Sequence, residues 1–113
     1  MKLPNADKAR IDPAKLHSYL LSNAHPIGRF KATFFAALGY TAENWSALSE
    51  ALRAQHVTRD ATLVETTSHG HKYEIRAMLT GPAGQSRLVV SAWIIRTGEQ
   101  FPRFVTAYPG DEP

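Results

Sequence analysis

The chain has 113 residues, 43% of them apolar, a formal net charge of +3 and no cysteine. That length fits one domain with its own core, and the missing cysteine excludes a disulfide framework, a thiolate metal site and a cysteine nucleophile. The positive balance permits contact with phosphates without demanding it.

No run of about eighteen apolar residues is present to cross a bilayer, and the opening MKLPNADKAR has no apolar stretch of the secretory kind. The expected site of action is therefore cytoplasmic, either in the producing cell or in a target cell reached as part of a larger effector. One domain over 1–113 is expected: an arm at 1–11, a helical part at 12–56, a sheet at 61–108 and a tail at 109–113.

Pro4 and Asn5 mark a turn in the arm. Asp12 is placed to cap a short helix that starts at Pro13 and carries the stripe Leu16, Tyr19 and Leu20. A second helix is predicted from Pro26 to Leu38, stopped by Gly39. Its apolar arc holds Ile27, Phe30, Phe34, Phe35 and Leu38, with Lys31 inside the same arc and His25 just ahead of Pro26. Thr41 caps a third helix, from Ala42 to about Gln55, with Trp45, Leu48 and Leu52 on its apolar face. His17 and His56 are read as surface residues.

After Asp60 the period changes from 3.6 to 2. Strands are predicted at Ala61–Ser68, Lys72–Thr80, Ser86–Arg96 and Phe101–Tyr108, joined by Ser68–His71, Gly81–Gly84 and Thr97–Gln100. Helices followed by short hairpins imply an α+β fold, with the helices packed on one face of a three- to four-stranded antiparallel meander. The other face is expected to display Glu74, Arg76, Arg87, Ser91, Trp93, Thr106 and Tyr108.

That face and the His25–Lys31 pair are the candidate site. Arginine offers phosphate a planar fork of donors, and aromatic rings on a sheet can stack bases. Histidine exchanges protons near neutral pH, and a lysine beside it can stabilise a pentacoordinate phosphate. The plain alternative is that His25 caps its helix and Lys31 runs along apolar surface to water. His71, in the turn His69-Gly70-His71, has no third or fourth metal ligand nearby. With Lys72 it is assigned to substrate contact at the rim, so neither a metal nor a cofactor is expected. No H-E-x-x-H, P-loop, G-x-S-x-G or G-x-G-x-x-G pattern occurs.

The stretches LPNADKARI, HPIGRFKATFFAALGY, HKYEIRAMLTGPAGQSRLVVSAWII and FPRFVTAYP together resemble an uncharacterised bacterial domain family. That family occurs both as stand-alone proteins and as C-terminal modules of polymorphic toxins. The order of helices then meander is also similar to the ribonuclease toxins of the barnase, EndoU, colicin and RelE class. That resemblance implies a metal-independent endoribonuclease cleaving RNA (tRNA or mRNA) by 2′-hydroxyl transesterification, with a small antitoxin or immunity protein as partner and no membrane. It assigns His25 as base or acid and Lys31 and Arg87 to phosphate. Thr106 and Tyr108 would orient the phosphate, and Arg76, Ser91, Trp93, His71 and Lys72 would bind substrate. The alternatives are a non-catalytic module that recognises a protein or nucleic acid through the open sheet face, and a structural domain of a larger assembly.

Overall fold

The computed structural model describes residues 1–110. Three helices fill the N-terminal half. α1 (Pro13–Lys15) runs straight into a wide turn, Leu16–Leu20, closed by the Leu21 N–H on the Leu16 carbonyl at 2.8 Å. Asp12 caps it by accepting from the Ala14 N–H at 3.0 Å. α2 spans Gly28–Ala37 and ends at Gly39, whose φ of 97° suits a residue without a side chain. α3 (Trp45–Ala51) also ends in a wide turn, Leu52–His56, closed by Val57 N–H on the Leu52 carbonyl at 2.9 Å. Such i→i+5 turns re-aim the side chains that follow them. Here they place Tyr19 and His56.

The four strands are β1 (Ala61–Thr67), β2 (Gly70–Thr80), β3 (Ser86–Arg96) and β4 (Arg103–Pro109). They form one antiparallel sheet in the order β1-β2-β3-β4, so the expected α+β meander is the observed fold. The arm is not loose chain. Leu3, Ala9 and Ile11 are buried, Lys2 bridges to Asp60, and Arg10 bridges to Arg103 at the start of β4. The expected tail at 109–113 lies partly outside the described residues: Pro109 closes β4, and 111–113 are not described.

The core forms where helices meet sheet, from Leu16, Leu20, Phe35, Leu38, Leu48 and Leu52 against Tyr73, Ile75, Leu79, Val89 and Trp93. This corrects the reading of β3. Directly opposed residues share a face, and the register pairs Tyr73 with Trp93, Ile75 with Ser91 and Ala77 with Val89. Since Tyr73, Ile75 and Leu79 are buried under the helices, Ser91 and Trp93 go with them and are not on the open face. The outer face carries Lys72, Glu74, Arg76 and Met78 opposite Ile94, Ala92, Val90 and Leu88.

The buried stripe of α2 also differs from the expected arc. Gly28, Ala32 and Phe35 are buried, whereas Ile27 and Phe30 are exposed. The reason is a close approach: a Cβ on residue 28 would overlap the Tyr19 carbonyl. The smallest face of α2, rather than its largest, therefore packs against the end of α1.

Candidate active site

The side of α2 next to its buried stripe carries Lys31, which is half-buried. Its ammonium donates to the Tyr19 hydroxyl at 2.7 Å and to Thr106 Oγ1 at 2.9 Å. The two hydroxyls are themselves 3.1 Å apart, so the three groups close a triangle. Lys31 Nζ also lies 5.2 Å from the centre of the Tyr19 ring. Lys31 thus turns inward to the sheet edge and does not run out to water.

Each corner has a local cause. Tyr19 belongs to the wide turn after Lys15, which rotates it off the Leu16–Leu20 core stripe toward α2. Thr106 sits beside a bulge: Ala92 pairs with Thr106 but Trp93 with Phe104, leaving Val105 as the extra residue of β4. A bulge bends an edge strand and re-aims its side chains, and the Thr106 hydroxyl meets the helical layer there. Gly28 sets the α1–α2 spacing that allows the contact.

The electrostatics favour an ionisable phenol. Burial pushes the Tyr19 phenol up. Hydrogen bonds to Lys31 and Thr106 and the charges of Lys31 and Lys15 outweigh that and hold it below its ordinary value. Lys31 is held by hydroxyls and not by a carboxylate, so its charge stays available to an incoming anion.

His25 completes the cluster. Its ring stands edge-on to Tyr19, with centroids 4.9 Å apart at 79°. Its Nδ1 accepts from the N–H groups of Ile27 and Gly28 at 3.1 and 3.0 Å, capping α2. An Nδ1 that accepts twice leaves the ring proton on Nε2. His25 therefore presents a donor; it both caps the helix and borders the site, and a base role would require loss of that cap.

The other candidates divide. Arg87 stands over the Phe34 ring at 5.1 Å, on the helix side, one turn along α2 from Lys31. Tyr108 lies on the outer face, away from Lys31, and donates to Glu74 Oε2 at 2.8 Å. Burial and the Glu74 carboxylate raise its phenol. With Arg76, Val90 and Thr62 it lines a shallow groove of about 390 Å³.

Ser91 and Trp93 are fully buried. Trp93 Nε1 donates to Ser91 Oγ at 2.8 Å and its ring packs edge-on to Phe104 at 5.4 Å, which takes it out of reach of a stacking base. His71 is exposed and bonded to Thr66 Oγ1 at 2.9 Å, and Lys72 lies opposite Glu65 and Ile94. Neither joins the Lys31 cluster. Among the described residues, no group of three or more His, Asp or Glu converges as metal ligands do, and no helix is long and apolar enough to cross a membrane.

Two positions escaped the sequence reading, Tyr19 at the candidate site and His56 in the core. Tyr19 shares the i, i+3, i+4 stripe of α1, so periodicity alone marks it as core. His56 is wholly buried, not on the surface: Nδ1 is 2.6 Å from Ser91 Oγ, and Nε2 lies 3.2 and 3.1 Å from the carbonyls of Ala77 and Val89. The signal was its place in the four-residue series Leu48, Leu52, His56, which continues the buried stripe of α3.

Residues 2–111 match the domain of unknown function DUF6883. The chain belongs to that family. No curated protein matches this DUF6883 domain. Among solved structures, it is similar to a chain of the contact-dependent growth inhibition toxin–immunity protein complex from Klebsiella pneumoniae 342. The TM-score is 0.60 at 18% identity, over 95% of this chain and 97% of that one. At that identity the likeness is one of fold.

Proposed function

We propose that this DUF6883 domain is a toxin-type, metal-independent endoribonuclease that cleaves RNA by attack of the 2′-hydroxyl on the adjacent phosphate. The observation that carries the reading is the Lys31 ammonium, 2.7 Å from a phenol held below its ordinary value and 2.9 Å from a hydroxyl. The fold shared with a chain of a toxin–immunity complex supports it, and an immunity-type protein is the partner that goes with it.

Ionised Tyr19 takes the 2′-hydroxyl proton as the 2′-oxygen bonds to phosphorus. Lys31 neutralises the charge gathering on the phosphorane and passes a proton to the 5′-oxygen as the P–O5′ bond breaks. The products are a 2′,3′-cyclic phosphate and a free 5′-hydroxyl. Tyr19 then returns its proton to Lys31 across their shared hydrogen bond. Thr106 holds the pair in register, and His25 Nε2–H donates to a non-bridging oxygen. Tyr19 takes the base part first assigned to His25, whose Nδ1 is engaged in capping α2.

Purified protein is expected to degrade RNA in EDTA, and Lys31→Met to lose that activity with an unchanged circular dichroism spectrum. Equal activity in the folded Lys31→Met variant would remove the assignment. A second reading, a non-catalytic binding module, is favoured by the outer-face groove around Tyr108, Glu74 and Arg76. It predicts no product from any RNA.

A further inference from the structure

The arc of α2 beside its buried stripe carries Ile27 and Phe30, which are exposed, and Lys31 and Phe34, which are half-buried. Helical spacing puts these residues on one side, about a third of a turn round the helix from Gly28, Ala32 and Phe35. Phe30 is 71% exposed and Ile27 62%, so neither contributes much to the core. Each phenylalanine carries an arginine: the Arg29 guanidinium is 4.9 Å from the Phe30 centroid and that of Arg87 is 5.1 Å from Phe34. The helix itself, GRFKATFFAA, contains two cations and no acid. One exposed ring and one half-buried ring, each flanked by an arginine and separated by the Lys31 of the cluster above, are complementary to a polyanion with flat faces.

We infer that this arc is a stacking platform for single-stranded RNA, with successive bases on Phe30 and Phe34 and the chain's phosphates on Arg29, Arg87 and Lys31. The inference rests on the RNA reading and names how that substrate is held. Spacing selects the single strand. Phe30 and Phe34 are separated by about 6 Å along the helix axis, against about 3.4 Å between neighbouring bases in a duplex. Bases must therefore be splayed to use both rings, which a duplex does not permit and a flexible strand does. The platform also replaces the buried Trp93 as the aromatic surface of the site.

The test uses a fully 2′-O-methylated single-stranded oligonucleotide, which lacks the attacking hydroxyl, with fluorescence anisotropy as the readout. Cleavage of the matching unmodified RNA is followed in parallel. Phe30→Ala and Phe30→Leu are expected to weaken binding by about 5- to 150-fold, the range for losing one base–aromatic stack, and to raise KM in step. Phe30→Trp is expected to bind as well as the parent. Because Phe30 is exposed, all three variants should melt as the parent does. A Leu variant that binds like the parent identifies a merely apolar contact and overturns the platform, as does unchanged affinity in Phe30→Ala. The two readings separate cleanly. Phe30-dependent binding without any cleavage leaves the platform standing and removes the nuclease. Cleavage with an unchanged KM in Phe30→Ala does the reverse.

Discussion

Tyr19→Phe isolates the chemistry of the cluster from its packing. The substitution removes one hydroxyl and keeps the ring that His25 meets at 4.9 Å and Lys31 faces at 5.2 Å. What is lost is the 2.7 Å bond from Lys31 and the 3.1 Å bond to Thr106; the Lys31–Thr106 bond at 2.9 Å remains. Tyr19 and Lys31 are only half-buried, so water can take over the vacated position. The stability cost is then that of an ordinary hydrogen bond, about 1 kcal/mol, or a melting shift of about 4–8 °C. The catalytic cost is of a different size. Removing a proton-transfer group costs about 10²- to 10⁴-fold, about 3–5 kcal/mol of barrier. The assay is the rate of 2′,3′-cyclic phosphate formation on a short RNA in EDTA, beside a thermal melt by circular dichroism. A variant that melts normally and cleaves within about threefold of the parent would refute Tyr19 as the proton acceptor, since even the low end of that range lies well above threefold.

Three further outcomes follow from the same geometry. Thr106→Val removes one of the hydrogen bonds that lower the Tyr19 phenol while burial still raises it, so the rising limb of the pH–rate profile should move to higher pH. Gly28→Ala places a methyl against the Tyr19 carbonyl; it should cost about 1–3 kcal/mol, as overpacking does, and should lower activity by separating Lys31 from Tyr19, seen as parallel losses in melting temperature and rate. Burial holds His56 below its ordinary value, against the pull of the Ala77 and Val89 carbonyls. The unfolded chain therefore binds a proton more readily than the folded one. His56's contribution is present above about pH 6.5 and is lost as pH falls below that value through its folded pKa. Urea melts at pH 7.5 and 5 should show this slope, and a His56→Gln variant should show less of it.

The fold was largely legible because its signals are local. The β2 alternation, the Gly81–Gly84 hairpin and the Gly39 stop each follow from a few neighbouring residues, and the structure has them. β3 is where locality fails. Leu88, Val90, Ala92 and Ile94 are as apolar as Val89, Trp93 and Ile95, so alternation marks two faces without saying which is inside. The answer lies in the pairing of Trp93 with the buried Tyr73. The arc of α2 misleads for a related reason, because size suggests burial of Phe30 while close backbone contact at Gly28 selects the small face.

The site was half legible. Lys31 stands out as a charge inside an apolar arc and His25 as a histidine at a helix mouth, while Thr106 is reached only through the alternation of its strand. Tyr19 does not stand out, since its spacing reads as core, and the wide turn that frees it and the bulge beside Thr106 leave no pattern in residue type. Trp93 and Ser91 show the converse: residues suited to binding that are spent on a buried chain of hydrogen bonds ending at His56.

The central claim is that the Lys31–Tyr19 pair drives attack of an RNA 2′-hydroxyl without a metal. The most direct measurement is incubation of the purified domain, in excess EDTA, with an RNA and with its 2′-O-methylated counterpart, followed by identification of the new ends. The account predicts 2′,3′-cyclic phosphate and 5′-hydroxyl ends from the RNA, none from the methylated strand, and none from either with Lys31→Met. Cleavage of the methylated strand, or RNA ends that persist in the folded Lys31→Met variant, would contradict it.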